Sequence, residues 1–427
     1  MIQNTAKRVL IQKSYRSTFV GYYLKTPMKK HFLTFYFCFT SVVLFGQVTN
    51  NDSLTNEPLN TADNIISGNG GRITVSGYGQ IDYNQPFGNE VFQNGKMDVH
   101  RLITFFGYQF AAKTFFVTEL EVEHANEMYV EQAFLQQNIN SFLNFRAGLI
   151  LVPMGIVNEY HEPTTFNGVE RPNLDGKIIP TTWRELGAGF TGKLSDYSIK
   201  YQAYLTNGFL SYNGNGILRG FDGYRKGRQK GIQSIISSPN LSTKIDFYGV
   251  KGLKIGLAGY FGKTQTTAIE GISRNDDVGI HSADSTRIGI SMLGADFRYQ
   301  NKGFQARGQF IHSNNSNVKE YNTKTNQDLG SSLLGYYLEA GYDIIRLFKK
   351  DLDQELTLFI RYESYDTHHT THDELVRNLA YNRNDITCGL GLKLANGAVL
   401  KLDYQRFTNM SNTIQEHQLN AGVAVWF

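Results

Sequence analysis

Apolar residues occupy every second position in many short segments of the chain. In the C-terminal segment, Leu419, Val423 and Phe427 belong to one apolar face, and small or polar residues alternate with them. A period of two places alternate side chains on opposite faces, so it predicts β-strands with one apolar face. We count sixteen such segments, most of them about 9–11 residues long, which is the length of a tilted strand that crosses a bilayer. The predicted strands are 71–83, 100–110, 114–124, 128–137, 141–151, 184–193, 197–206, 239–248, 252–262, 286–299, 303–312, 334–345, 356–365, 386–394, 399–407 and the segment that ends at Phe427.

The connections between these strands alternate in length. Mostly long polar segments follow the odd-numbered strands, and mostly short turns, such as Asn396–Gly397, follow the even-numbered ones. The long connections are 84–99, 152–183, 207–238, 263–285, 313–333 and 366–384. A soluble β-sandwich, the alternative fold, has no reason to sort its connections by side. The sequence therefore predicts an all-β fold, a transmembrane antiparallel β-barrel of about sixteen strands with both termini in the periplasm.

Two segments disturb the alternation. Within 286–299 the apolar positions change phase between Met292 and Leu293, which predicts a β-bulge. Within 128–137 neither face is cleanly apolar.

The N-terminal region has the features of a secretory signal. A basic start at Met28–His31 precedes an apolar run at 32–45 and then Gly46. This run is too short for a transmembrane helix, so we expect a signal peptide that is cleaved after Gly46. The predicted organisation is a leader at 1–46, with Met28 as the true start and the signal peptide at 28–46, a short periplasmic segment at 47–70 and the barrel at 71–427.

Composition narrows the chemistry. The 427 residues include 42 glycines and 13% aromatic residues, and the formal net charge is +4. Signal cleavage would leave Cys388 as the single cysteine, so neither an intramolecular disulfide nor a cysteine metal site is expected. His368, His369 and His372 are close in sequence, but we expect them in a hydrated loop. With no nucleophile elbow or phosphate-binding glycine loop in the sequence, we expect no enzymatic activity, cofactor or nucleic-acid partner.

One segment carries a family resemblance. The run Arg146–Gly155 reads as the end of the fifth strand, a glycine, a few apolar residues and a Pro-x-Gly corner. This resembles the phosphate-selective porin O/P family of Gram-negative outer membranes, and Asn207–Gly208 is similar to that family's exit from strand seven. The resemblance implies a sixteen-stranded porin whose third outer loop, 152–183 here, folds into the lumen as the constriction. The implied constriction residues are Glu159, Glu162, Glu170, Arg171, Asp175 and Lys177.

Charges at inward positions would line such a pore. The strand phases place both signs inside in nearly equal number, and the third loop has a net charge of minus two. A phosphate-specific channel would need an excess of cations, so we do not transfer that substrate from the family. The predicted lining residues are Arg146, Lys200, Lys244, Arg298, Arg307, Arg361, Glu119, Glu121, Glu339 and Glu363.

These patterns favour a porin, an outer-membrane channel for passive diffusion of small polar or ionic solutes. The alternative is a non-conducting outer-membrane surface protein that binds a ligand or partner through its long loops. Expected partners are outer-membrane lipid and lipopolysaccharide, the barrel assembly machinery through Phe427, and further copies of the chain in a homotrimer. The basic fourth loop, with Arg219, Arg225 and Arg228, suggests the lipopolysaccharide contact, although a hydrated run of charge is the commoner case.

Overall fold

In the part of the chain that the structure describes, sixteen antiparallel strands form a closed barrel, as the alternating pattern predicts. The computed structural model describes residues 60–67, 72–88, 92–349, 352–411 and 415–427. The first and last strands of the barrel pair with each other, with Gly79 opposite Val425, so the sheet has no free edge. The predicted leader, 1–46, lies outside the described residues.

β-Strands make up most of the described chain. The barrel strands are β1 Ile73–Phe87, β2 Lys96–Ala111, β3 Thr114–Glu123, β4 Glu127–Asn138, β5 Asn144–Leu151, β6 Arg184–Leu194, β7 Ile199–Thr206, β9 Asn240–Val250, β10 Leu253–Lys263, β12 Gly289–Asn301, β13 Phe304–Ser316, β14 Ser332–Asp343, β15 Glu355–Thr370, β16 Asn382–Ala395, β17 Ala398–Asn409 and β18 Gln415–Trp426. Two short strands in the connections, β8 Leu210–Tyr212 and β11 Gln265–Thr266, pair in parallel. The α-helices of the described residues are α1 Thr61–Ser67, α2 Leu174–Lys177, α3 Asp277–Asp284 and α4 Val318–Thr325. None of the helices in these described parts is long and apolar enough to cross a membrane.

The two faces of the wall differ in polarity. Leu205, Leu338 and Ile360 on the outer face are each more than half exposed. On the inner face, charged residues such as Arg361 and Glu363 are fully buried. Apolar surface toward the surroundings and polar surface toward the interior is the arrangement of a barrel in a bilayer.

The predicted bulge between residues 286 and 299 is wrong. Strand β12 pairs in continuous register with β10 on one side and β13 on the other. Ile288, Ile290 and Met292 are buried inside the barrel, whereas Leu293 is on the outer face. The apolar phase changes because the interior is itself apolar near the long connections.

An irregularity exists instead in β4. The β3–β4 register shifts where Glu119 pairs with Gln132 and Leu120 with Val130. The extra residue, Glu131, is buried together with Gln132. A bulge that turns two consecutive polar residues inward explains why 128–137 has no clean apolar face.

An apolar core fills one side of the lumen near the long connections. Residues of the third connection, including Met154, Ile179 and Trp183, pack there against inward residues of β10 and β12–β14. Trp183 stacks on Phe209 with ring centroids 4.6 Å apart. The third connection therefore folds inward and is anchored to the wall through buried apolar surface.

The expected hydrated loop of histidines is also wrong in part. Strand β15 continues to Thr370, so His368 and His369 lie in it. His368 is buried, and its Nδ1 accepts a hydrogen bond from the backbone N–H of Asn378 at 3.1 Å. Among the described residues, no group of histidine, cysteine and acidic side chains has the arrangement of a metal site.

Candidate functional site

The third connection, residues 152–183, lies inside the barrel, and we call it the lumen loop. Lys244 of β9 donates from Nζ to the carbonyl of Gly155 at 2.7 Å. On the other side of the lumen, Lys401 of β17 donates to the carbonyl of Gly168 at 2.8 Å. The inward lysines thus hold backbone carbonyls of the loop, and the loop crosses the lumen.

Two of the predicted constriction acids are locked in buried contacts. Glu159 accepts hydrogen bonds from Lys244 at 2.7 Å and from Gln202 at 2.6 Å. Burial alone would raise the pKa of Glu159, but the attraction of Lys244 and other lysines lowers it to about 2. Glu162 accepts from the backbone N–H and the hydroxyl of Thr61, at 3.1 and 2.9 Å. Neither carboxylate is available to a solute in this arrangement.

Glu170 and Arg171 are only partly buried and face open space. Glu170 accepts from Asn84 Nδ2 at 3.0 Å. Arg171 donates to the carbonyl of His161 at 2.9 Å, and its buried Nε has no hydrogen-bond partner among the described residues. These two side chains line a cavity beside the loop.

Asp175 and Lys177 belong to the short helix α2. Asp175 is buried and accepts from Gln309 Nε2 at 2.8 Å, and burial raises its pKa to about 7. Lys177 donates to the carbonyl of Phe221 at 3.1 Å, and burial lowers its pKa. Both side chains line the same cavity as Arg171.

The predicted lining residues project into the lumen, where most of them hold polypeptide. Five cations contact the lumen loop or α1: Arg146 and Lys200 reach Asp63 at 3.4 and 2.8 Å, Lys244 reaches Glu159, Arg307 donates to the carbonyl of Thr165 at 2.7 Å, and Arg361 reaches the carbonyl of Glu170 at 3.4 Å. A sixth, Arg298, lies 3.9 Å from the ring centre of Tyr160. Through these contacts the inward side chains of the wall hold the lumen loop and α1 in place.

Three of the four acidic residues predicted to line the pore also contact the lumen loop. Glu119 bonds His161 at 2.9 Å, Glu339 accepts from Asn167 at 2.9 Å, and Glu363 accepts from the backbone N–H of Leu174 at 3.1 Å. Glu121 is different, because it lines the cavity and lies 3.8 Å from Arg101. Of the ten predicted lining residues, it is the one among those described that borders this cavity.

The cavity separates the lumen loop from the wall formed by β1–β4 and β6. It has a volume of about 340 Å³, and its lining is dominated by charge. Among the described residues, the cations that line it are Arg101, Arg171, Lys177, Arg184, Arg225, Arg228 and Lys230. The carboxylates that line it, from the same part of the chain, are Glu121, Glu123, Glu131, Glu170 and Asp175.

Several of these cavity residues escaped prediction from the sequence. Glu131 pairs with Arg184 at 2.6 Å, and the disturbed pattern of 128–137 was the signal for it. Arg225 and Arg228 of the basic fourth loop bend inward and donate to the carbonyl of Thr181 at 2.8 and 3.0 Å. No alternating pattern marks them, because they lie outside the strands.

No protein-family model matches the chain. The solved structures that share its fold at low identity include the outer membrane channel DcaP of Acinetobacter baumannii (TM-score 0.55, 11% identity, 83% of this chain and 97% of that chain) and OmpF of Salmonella typhi in complex with daunomycin (TM-score 0.51, 12% identity, 83% of this chain and 97% of that chain). A closed porin-like barrel with an apolar outer belt places the chain in the bacterial outer membrane, since only closed barrels and helices satisfy their backbone within lipid.

A closer relative is an uncharacterized protein of Aquifex aeolicus (strain VF5). The two sequences are 30% identical over an alignment of 352 residues, gaps included, that covers 78% of this chain and 75% of the relative. A sequence identity of this level over most of both chains reflects common ancestry and not only a shared barrel architecture. The chain belongs to the same family as this Aquifex aeolicus protein.

Proposed function

We propose that the chain is a porin that lets small polar or ionic solutes diffuse passively across the outer membrane. The observation that supports this most is the asymmetry of the lumen loop. One side of the loop is sealed to the wall by apolar packing, and the other side borders the charged cavity of about 340 Å³. The lumen loop is then the constriction, and solutes pass between it and β1–β4.

The charge of the cavity bears on which ions enter. In the part of the chain that the structure describes, seven cationic and five acidic side chains line it, and Asp175 is partly protonated near neutral pH. The local balance favours anions weakly, in contrast to the net negative charge of the lumen loop taken alone. The sequence resemblance to the phosphate-selective porin O/P family is compatible with this balance, but the paired carboxylates give no reason to single out phosphate.

Conductance in planar bilayers tests the proposal. The purified full-length protein should produce stepwise currents in salt solution, and the reversal potential in a salt gradient should indicate a modest anion preference. The alternative, a surface protein that binds a ligand through its loops, would leave the bilayer silent. That the protein has no enzymatic activity remains a prediction. That it assembles into a homotrimer also remains a prediction, and the mass of the detergent-solubilised particle checks it.

A further inference from the structure

The N-terminal helix α1 lies inside the barrel. Thr61 and Ala62 are each only 2% exposed, and Ile65 and Ile66 pack on a buried apolar cluster. The cluster is formed by inward residues of β1–β5 and β7, namely Tyr78, Ile103, Phe105, Val117, Phe134, Ile150 and Tyr204. A linker exposed in the periplasm would not bury these side chains. Helix α1 is therefore packed against the inner wall of the barrel.

Charges hold the helix in this seat. Asp63 of α1 contacts Lys200 at 2.8 Å and Arg146 at 3.4 Å. Burial opposes ionisation, but the attraction of these two cations keeps the pKa of Asp63 well below its usual range. The hydrogen bonds from Thr61 to Glu162 connect the helix to the lumen loop.

The seat of α1 lies on the same wall as the charged cavity. On β1 the inward residue next to Gln80, in the direction of the short turns, is Tyr78. On β2 the inward residue next to Arg101, in the same direction, is Ile103. Gln80 and Arg101 line the cavity, whereas Tyr78 and Ile103 belong to the apolar cluster that holds α1. A solute that leaves the cavity toward the periplasm therefore meets α1.

We propose that α1 is a second, inner constriction of the pore and determines its conductance. This inference rests on the proposed porin function. The helix narrows the route on the periplasmic side of the lumen loop, and the Asp63 contacts decide how firmly it stays there. Weakening the Asp63 contacts widens the solute route past α1 without altering the charged cavity.

A reversible crosslink tests this in the full-length chain. A Cβ placed on Gly107 of β2 would lie 3.6 Å from Cβ of Ile65, within the 3.5–4.5 Å range of disulfides. The variant combines D63K, which repels Lys200 and Arg146, with I65C and G107C, and with C38S and C388S so that the two new thiols are the only ones. Oxidised, it should conduct like wild type; after reduction, its single-channel conductance should rise by about two-fold or more.

Equal conductance in the oxidised and reduced states would overturn the inner constriction. Silence of wild type and of both states would overturn the porin function itself, which separates the two failures. A labelling measurement applies even where D63K fails to fold. In an otherwise native chain with C38S and C388S, I65C should react slowly with a maleimide, and S67C, at the exposed end of the same helix, should react fast. Equally rapid labelling of the two positions would contradict the buried placement of α1.

Discussion

Glu159 and Glu170 have different roles in the structure, although the sequence assigns both the same role. Both are acids of the lumen loop, and the sequence predicts that both face permeating ions. Glu159 is engaged by Lys244 and Gln202, whereas Glu170 is partly exposed at the cavity. Charge sign and loop membership alone do not distinguish such residues, because the partners come from strands about 40–90 residues away.

We predict that E159Q destabilises the barrel while leaving ion selectivity nearly unchanged. Removing one partner of a buried pair costs about 3 kcal/mol, and the nearby Asp296, 3.2 Å from Lys244, offsets part of that loss. The loss should appear as a lower temperature at which the folded form disappears on gels. The matched control is E170Q, which should keep that temperature and shift the reversal potential toward anions; the opposite assignment of effects would contradict the geometry.

The inward arginines of the fourth loop lead to a second prediction. R225Q combined with R228Q should shift the reversal potential toward cations, because both guanidinium groups line the cavity. The effect should shrink at high salt, where the Debye length falls from about 10 Å at 0.1 M to about 3 Å at 1 M. K226Q removes an exposed charge of the same loop that does not line the cavity, and an equal shift in that variant would argue for a general surface effect.

A third prediction concerns pH. The pKa of Asp175 is about 7 in the folded chain and has an ordinary value of 3.8, so the folded state binds more protons between these values. Stability conferred by neutral Asp175 is therefore present at low pH and is lost as pH rises toward 7, by up to about 4 kcal/mol. Thermal unfolding in detergent should show wild type more stable at pH 5 than at pH 8. D175N should reduce this difference, and an unchanged difference would assign it to other groups.

At the scale of elements, the sequence predicted the strands well and their interruptions poorly. Period two identifies strands because one face meets lipid everywhere along the wall. It failed at β12, where Ile290 and Met292 point to an apolar interior that the lumen loop and its neighbours create. It also gave no path for the lumen loop, since that path depends on contacts with distant strands.

The last strand gives a prediction at this scale. Phe427 exchanges two backbone hydrogen bonds with Gly77, both 2.9 Å, so it extends the pairing of β18 with β1 beyond Trp426. Deleting Phe427 should remove these bonds together with the terminal aromatic ring. We expect much less folded protein in the outer membrane, measured by the heat-sensitive band in membrane fractions. F427Y keeps ring and backbone and should assemble normally, and a normal level of the deletion variant would exclude a role in assembly.

At the scale of the whole molecule, closure is the dominant property. A barrel without edges cannot unzip from one strand, so it should resist detergent at room temperature. Unboiled protein should migrate faster than boiled protein on gels. Identical mobility of the two samples would contradict a closed barrel.

The lumen loop also constrains the order of assembly. Its carbonyl at Val169 accepts from Gln80 of β1 at 3.0 Å, while its Gly168 carbonyl is held by Lys401 of β17. Strands β1 and β17 are far apart in the chain and become neighbours only through β18, when the sheet closes. The loop can therefore take its final seat only at the last step of barrel formation. A newly inserted, unclosed sheet would carry this loop unseated, and the channel would acquire its narrow cross-section at the moment the wall becomes continuous.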